Sequence, residues 1–342
     1  MRLYRLPRAE RIDDLTLTEA DVPRPARGQV LVRMRAASLN YRDLMVATGR
    51  YGRGAGVKPG LVPLSDGAGE VVEIGPDVTR FAPGDRVAGL FMPRWLAGEI
   101  TEEVAAVALG GGSTDGVLAE HVLFEQDALV RLPDHLSFEA GATLPCAAVT
   151  AWNALYGGPR PLLPGETVLL LGTGGVSIFA LQFARAGGAR PIVISSSDGK
   201  LARATELGAA AGVNYRAHPE WQDRVLELTG GRGVDHVVEV GGPGTLPRSI
   251  RAVRLGGQIH QIGAALAGAG GLIDPAPMMR RNILFRGIYV GSRAMFEAMN
   301  RAMALHAIQP VIDRVFPFEA ARDAYRHLES QAHLGKVVIR IA

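Results

Sequence analysis

The sequence predicts an α/β protein: a doubly wound parallel sheet joined to a second, strand-rich domain. Three observations carry that expectation. From about Leu132 onward, short apolar runs alternate with helical patterns, the rhythm of a parallel sheet with helices on both faces. Ahead of it lie many short β-like runs punctuated by glycine and proline. Within "LLLGTGGVSIFALQFARAGGA", Leu169 to Ala189, a knot of glycines separates a strand from a helix, so the chain turns tightly there and exposes its backbone.

In the first half, "QVLVRMRAASL" alternates in part, and "GAGEVVEIG", "GDRVAGLF" and "VLAEHVLFE" are short and apolar, as the strands of a partly barrel-like domain are. "GEITEEVAAVALGGGSTDG" reads as a surface lobe or long loop. The second half reads as strands Thr167–Leu171, Pro191–Ser195, Gly212–Tyr215, Val234–Val240, Gln258–Ile262 and Ile283–Val290, with helices such as Lys200–Leu207 and Trp221–Thr229 between them. In the tail, Met295, Met299 and Met303 fall on one helix face, which core packing explains. A closing strand, "GKVVIRI", returns to the first domain. The expected domains are therefore 1–128 with 296–342 (strand-rich) and 129–295 (parallel sheet).

Bulk properties narrow the function. The 342 residues suffice for two cores, and 47% hydrophobic with 21% charged residues is an ordinary globular composition. A single cysteine, Cys146, excludes an internal disulfide or a multi-cysteine metal site and fits a reducing cytoplasm. The net charge of +3, from 37 basic and 34 acidic residues, is small and dispersed, so nucleic acid is not an expected partner. Neither a secretory leader nor a membrane span is expected.

The glycine knot has a use in such a sheet. Strand Thr167–Leu171 runs into Gly172, Thr173, Gly174, Gly175, Val176 and Ser177, and a helix follows. In a dinucleotide fold the first glycine makes the turn and the second lets a pyrophosphate approach the backbone. The phosphates then rest on free N–H groups at the positive helix end. Ser177 stands where a third glycine is usual and is small enough to substitute. The end of the second strand, "SSSDGK", selects the cofactor. Ser195 occupies the position where NAD sites usually place a carboxylate, with Ser196, Ser197 and Lys200 close by. Hydroxyls and an ammonium suit a 2′-phosphate, so NADP(H) is expected. Asp198 reads as a helix N-cap. The alternative is a plain capping turn, and Tyr215 and Arg216 either flank the same phosphate or form a surface loop.

Nearly the full length resembles the medium-chain dehydrogenases/reductases. The resemblance rests on "AASLNYRDLMVATGRYG", "PLSDGAGEVVEIGPDVTRFAPGDRV", "LPCAAVTAWNAL", "GTGGVS", "GAAAGVNYR", "VGSRAMFEAMNRA" and "HLGKVVI", in the family's order and spacing. The branch it is most similar to holds zinc-type alcohol dehydrogenase-like proteins and quinone oxidoreductases. The resemblance implies a Rossmann domain and a GroES-like catalytic domain. It also implies cofactor-lining roles for Thr150, Gly241, Gly263, Gly291, Ser292 and Arg293, with Lys336 reaching the cofactor from the tail. Zinc members hold metal through Cys, His and Cys or a carboxylate. The corresponding positions here are Asn40, Ser65 and Cys146, and Glu99–Gly116 lacks the four cysteines of a structural zinc lobe. A catalytic zinc needs three protein ligands, so no metal is expected, and Cys146 is read as a small buried residue.

Without zinc, a quinone or an α,β-unsaturated carbonyl is the easier hydride acceptor, and its oxygen needs donors and a proton. Asn40, Tyr41 and Tyr51 are the candidate catalytic residues that the resemblance brings to the substrate. Tyr51, in "TGRYG", is similar to a tyrosine thought to donate a proton in related enoyl reductases, while Tyr41 shapes the pocket. Asp66 is read as fixing backbone or Arg42. His236 and His260, in strands, are read as structural. The rival readings are zinc-free alcohol or aldehyde chemistry, enoyl-thioester reduction, and an NADPH-binding redox sensor or scaffold. A homodimer is expected from "ILFRGIYVG", an apolar final strand whose free edge invites pairing, with Ile288 and Val290 buried in the contact.

Overall fold

The structure is a computed structural model that describes residues 1–51, 57–263 and 274–341. Its strands are β1 (Arg2–Arg5), β2 (Thr16–Glu19), β3 (Gln29–Leu39), β4 (Asp66–Ile74), β5 (Arg86–Gly89), β6 (His121–Glu125), β7 (Leu129–Arg131), β8 (Thr167–Leu171), β9 (Arg190–Ser195), β10 (Ala211–Asn214), β11 (Val234–Glu239), β12 (Val253–Gln261), β13 (Leu284–Gly287), β14 (Ile312–Pro317) and β15 (Lys336–Arg340). Its α-helices are α1 (Tyr41–Ala47), α2 (Glu102–Ala105), α3 (Phe138–Gly141), α4 (Val149–Tyr156), α5 (Gly175–Ala186), α6 (Asp198–Glu206), α7 (Trp221–Leu228), α8 (Leu246–Ala252), α9 (Ala276–Arg280), α10 (Arg293–Leu305) and α11 (Ala321–Glu329). No described helix is long and apolar enough to cross a membrane.

The chain divides into two compact units, Met1–Val149 with Gly291–Ala342, and Thr150–Val290. Residues 129–149 and 291–295, placed with the parallel sheet by sequence rhythm, group with the strand-rich unit. The reason is pairing and packing: β7 extends the antiparallel sheet beside β5, α3 packs on β3 and β4, and α10 packs on β7.

In the strand-rich unit the sheet order is β14-β15-β3-β4-β5-β7, with β6 also on β3. β3 and β15 are antiparallel, with Leu39 opposite Val337, so the end of β3 and the start of β15 meet. Alternate residues of β3 (Val30, Val32, Met34) face the core, where Leu44 and Val46 of α1 and Tyr325 and Leu328 of α11 cover them. Of the methionine stripe, Met299 and Met303 are fully buried, the core role expected.

The second unit is a six-stranded parallel sheet in the order β10-β9-β8-β11-β12-β13. Numbered within the sheet that is 3-2-1-4-5-6, whose strand order reverses between β8 and β11. Every residue of these two strands is buried; β8 accordingly reads as a nearly continuous apolar run, whereas β11 also buries Asp235, His236 and Glu239. The last strand is shorter than Ile283–Val290. Pairing stops at Gly287, and Ile288 and Val290 are already buried within the chain, at 7% and 5% exposure. They are therefore not free to be covered by a second copy. The apolar groups left at that edge are Leu284 and Phe285.

His236 and His260 form a buried chain in this sheet. His236 Nδ1 meets His260 Nε2 at 3.0 Å, and its Nε2 meets Glu166 Oε2 at 3.0 Å. Burial pushes both imidazoles below their ordinary pKa, and that of His260 falls to about 3.

Candidate active site

The order reversal between β8 and β11 opens at the ends of Leu171 and Glu239. After Leu171, Gly172 adopts φ +73, a conformation that suits glycine, and its N–H still donates to Ile194 O at 2.8 Å. Gly174 is the N-cap of α5 and supplies no capping side chain. A Cβ at either glycine would meet open space. The first N–H groups of a twelve-residue helix thus stand beside an uncovered backbone, which fits an incoming pyrophosphate. Thr173 is buried, while Gly175 and Val176 are half-buried. Ser177 does more than fit the third position: its hydroxyl donates to Leu171 O at 2.6 Å and ties helix to strand.

The turn after β11 is built by a residue that sequence reasoning missed. Glu239 is fully buried. Its Oε1 accepts from Gly241 N at 2.8 Å, Gly242 N at 3.1 Å and Thr245 Oγ1 at 2.6 Å, while Oε2 accepts from Ser249. Gly263 lies where a Cβ would strike Val240 O. Thr150 is buried in α4.

At the end of β9, Ser195 is 3% exposed. Its Oγ accepts from Ser197 N at 3.4 Å and its carbonyl accepts from Tyr215 N at 3.0 Å. Ser196 and Lys200 are half-buried, and Tyr215 is 40% exposed. The cap of α6 is Ser197, whose Oγ accepts from Lys200 N, and not Asp198. Asp198 is the first helical residue, and it accepts instead from Asn214 Nδ2 at 2.7 Å.

In the strand-rich unit a polar centre gathers around the start of α1. Asn40 N donates to Asp43 Oδ2 at 2.8 Å. Asp66 Oδ1 accepts from Ser65 Oγ at 2.7 Å and Oδ2 from Cys146 N at 3.1 Å. Asp66 thus fixes backbone, as expected, but Arg42 faces Asp43, at 3.8 Å, rather than Asp66. Both carboxylates are buried. Burial raises Asp43 to about 6 against the pull of Arg42, and it raises Asp66 against the pull of Lys336. Cys146 is half-buried rather than fully buried, yet its thiol is pushed well up, by removal from water first and then by Asp66. Upstream, Leu64 is held at φ +69, a conformation that strains a leucine. Val117 N clamps its carbonyl at 2.9 Å.

The remaining predicted residues fall into place around this centre. Tyr41 is half-buried on the core. The Tyr51 ring lies 5.1 Å from the Arg42 guanidinium carbon, with Phe91 at 4.5 Å from the same atom. The glycine-rich residues 52–56 after Tyr51 are outside the described residues. Gly291 is packed against Val149 and Met295, and Ser292 caps α10. Two cations expected on the cofactor have other partners. Arg293 donates to Asp127 Oδ1 at 2.7 Å, and Lys336, 3% exposed, donates to Leu39 O and Asn40 Oδ1, each at 2.6 Å. Among the described residues no group of three His, Cys, Asp or Glu side chains is placed to hold a metal ion.

Comparison with known proteins defines the class. The alcohol dehydrogenase GroES-like domain family matches residues 26–134, and the zinc-binding dehydrogenase family matches residues 175–305. Both halves are therefore of dehydrogenase type. The zinc-type alcohol dehydrogenase-like protein of Schizosaccharomyces pombe is 46% identical over 334 residues, 96% of each chain. The acryloyl-coenzyme A reductase of Metallosphaera sedula is 29% identical over 327 residues, 94% of this chain and 95% of its own. A crystal structure of an NAD-dependent alcohol dehydrogenase is 33% identical, covers 100% of both chains and superposes with a TM-score of 0.89. The chain belongs to the medium-chain dehydrogenase/reductase superfamily, a class of nicotinamide-dependent oxidoreductases.

Proposed function

We propose that this protein is an NADPH-dependent, zinc-independent reductase of quinones or α,β-unsaturated carbonyls. The observation that carries this reading is the donor set of the polar centre. Where zinc relatives carry metal ligands, Asn40 Oδ1 is bonded by the Lys336 ammonium and the Ser65 hydroxyl is spent on Asp66. Burial keeps the Cys146 thiol protonated. A tetrahedral zinc needs three free ligands, and this set does not fit one. With no Lewis acid at the oxygen, the substrate must delocalise its own negative charge, as quinones and conjugated carbonyls do.

The bound dinucleotide supplies a hydride. The chain's own part is to hold it at Gly172–Val176 and to meet the charge that grows on the substrate oxygen. Asn40 and Tyr51 are the donors for that charge, and Tyr51 or solvent returns the proton. NADPH preference is supported by Ser195 and Lys200 where a carboxylate would favour NADH. The acryloyl-coenzyme A reductase relative favours activated alkenes within this reading. A homodimer through the β13 edge is supported by the exposed Leu284 and Phe285.

NADPH oxidation followed across quinones, enones, aldehydes and acyl thioesters, before and after chelation, tests the proposal. Turnover of enones or quinones that survives chelation supports it. A requirement for stoichiometric zinc, or turnover confined to aldehydes, overturns it.

A further inference from the structure

Lys336 is a buried ammonium, and the chemistry above gives it no task. It opens β15, opposite the end of β3, and is 3% exposed. Taking an ammonium out of water is expensive unless its partners repay it. Its partners are Leu39 O and Asn40 Oδ1, both at 2.6 Å.

That contact settles the orientation of Asn40. An ammonium only donates, so the amide atom it meets is the oxygen. The backbone of Asn40 is pinned as well, through its N–H to Asp43 Oδ2 at 2.8 Å. With the oxygen held, Nδ2 points away from Lys336. It is buried and turned toward the Asp66 carboxylate, which draws on one of its two hydrogens without forming a full-geometry bond. Buried donors are rarely left unsaturated, and each exception needs an explanation.

We propose that Lys336 is a positioning residue. Its ammonium locks the Asn40 amide with the oxygen turned to Lys336, so that the NH2, steadied on one hydrogen by Asp66, keeps its second hydrogen for the substrate oxygen on which negative charge develops. This rests on the reductase reading above. Lys336 itself acts through Asn40, and its charge also steadies the Asp66 carboxylate across space.

The test uses the intact protein with Lys336→Met, which keeps the stem and removes the donor. Turnover of an enone should fall on the order of 10²-fold while NADPH affinity stays within about twofold. The double variant N40A/K336M should be no slower than N40A alone, because the second change removes nothing further. Additive losses, or a loss of NADPH affinity with turnover intact, would overturn the proposal, the latter by making Lys336 a cofactor ligand. A second readout needs no turnover. The Asn40 side-chain 1H–15N resonance, identified by its absence in N40A, should move in K336M and hold still in Y51F. An unmoved resonance sinks the proposal even if catalysis falls. If the wild type reduces no enone or quinone, the reductase reading fails while the resonance still decides the Lys336–Asn40 contact. Should K336M not fold, K336M/D66N removes both buried charges together and is read against D66N alone, so that only the change due to Lys336 counts.

Discussion

Replacing His260 by glutamine takes a titratable group out of the interior of the parallel sheet. His260 is 1% exposed, and burial, aided by His236 and Arg286, lowers its pKa from 6.5 to about 3. The unfolded chain binds this proton near 6.5, whereas the folded chain waits until about 3. Between those values unfolding takes up a proton, so stability is full above about 6.5 and drains away as the pH falls. At about pH 5 the two pKa values give a loss of about 2 kcal/mol from His260 alone. His236, shifted the same way, adds to it. Glutamine keeps a donor for His236 Nδ1 and carries no proton to gain. Urea unfolding of both proteins at about pH 7.5 and about pH 5, read by circular dichroism, measures the difference. The wild type should lose about 2 kcal/mol more than H260Q over that interval. Equal losses would mean that His260 is solvated or already charged in the native state, and the burial argument would be refuted.

Four further outcomes are expected. Asp43 carries the opposite sign: burial raises it from 3.8 to about 6, so its ionisation weakens the fold as pH rises through that window. D43N should flatten this dependence by at most about 3 kcal/mol, and an unchanged pH profile would refute the shift. Ser195→Asp should weaken NADPH binding by on the order of tenfold or more and spare NADH, by like-charge repulsion; a wild type that binds both equally removes the 2′-phosphate reading. Tyr51→Phe should slow enone reduction by on the order of 10²-fold, and an unchanged rate would leave solvent as the proton source. In sedimentation at micromolar concentration the wild type should run as a dimer and Phe285→Asp as a monomer; a monomeric wild type rules the edge contact out.

Most of the parallel sheet was legible because each strand announces itself locally. β8 is buried on both faces, so it appears as a nearly unbroken apolar run, and the glycine turn follows directly, while β11 shows itself by Val234, Val237 and Val238. Legibility failed where a partner lies far along the chain. Lys336 and Asn40 are separated by 296 positions, and nothing local to "GKVVIRI" shows that its lysine turns to Asn40. Glu239 looks like one more residue at a strand end until its four donors converge. Sequence alone sets the cap of α6 one residue late because Ser197 and Asp198 are both good caps, and only the contact with Asn214 tells them apart. The apolar run extends past the final strand because Ile288 and Val290 are apolar for a different reason: they are packed inside the chain after pairing ends.

The clamp on Leu64 makes the length of the neighbouring surface lobe a property of the polar centre. Gly116 N binds Val62 O at 2.6 Å, Val117 N binds Leu64 O and Leu118 N binds Pro63 O at 3.1 Å, so the lobe's exit is stitched to the three residues before Ser65. A Cβ on Gly110 or Gly116 would collide with the Leu64 carbonyl, so both ends of the final stretch grip the same strained residue. An engineer who shortens the stretch between those glycines therefore pulls on Ser65 and Asp66 without touching either. Length added at Gly98, outside that stretch and where a side chain would meet nothing, carries no such leverage, and that position is the natural seam for grafting a new lobe.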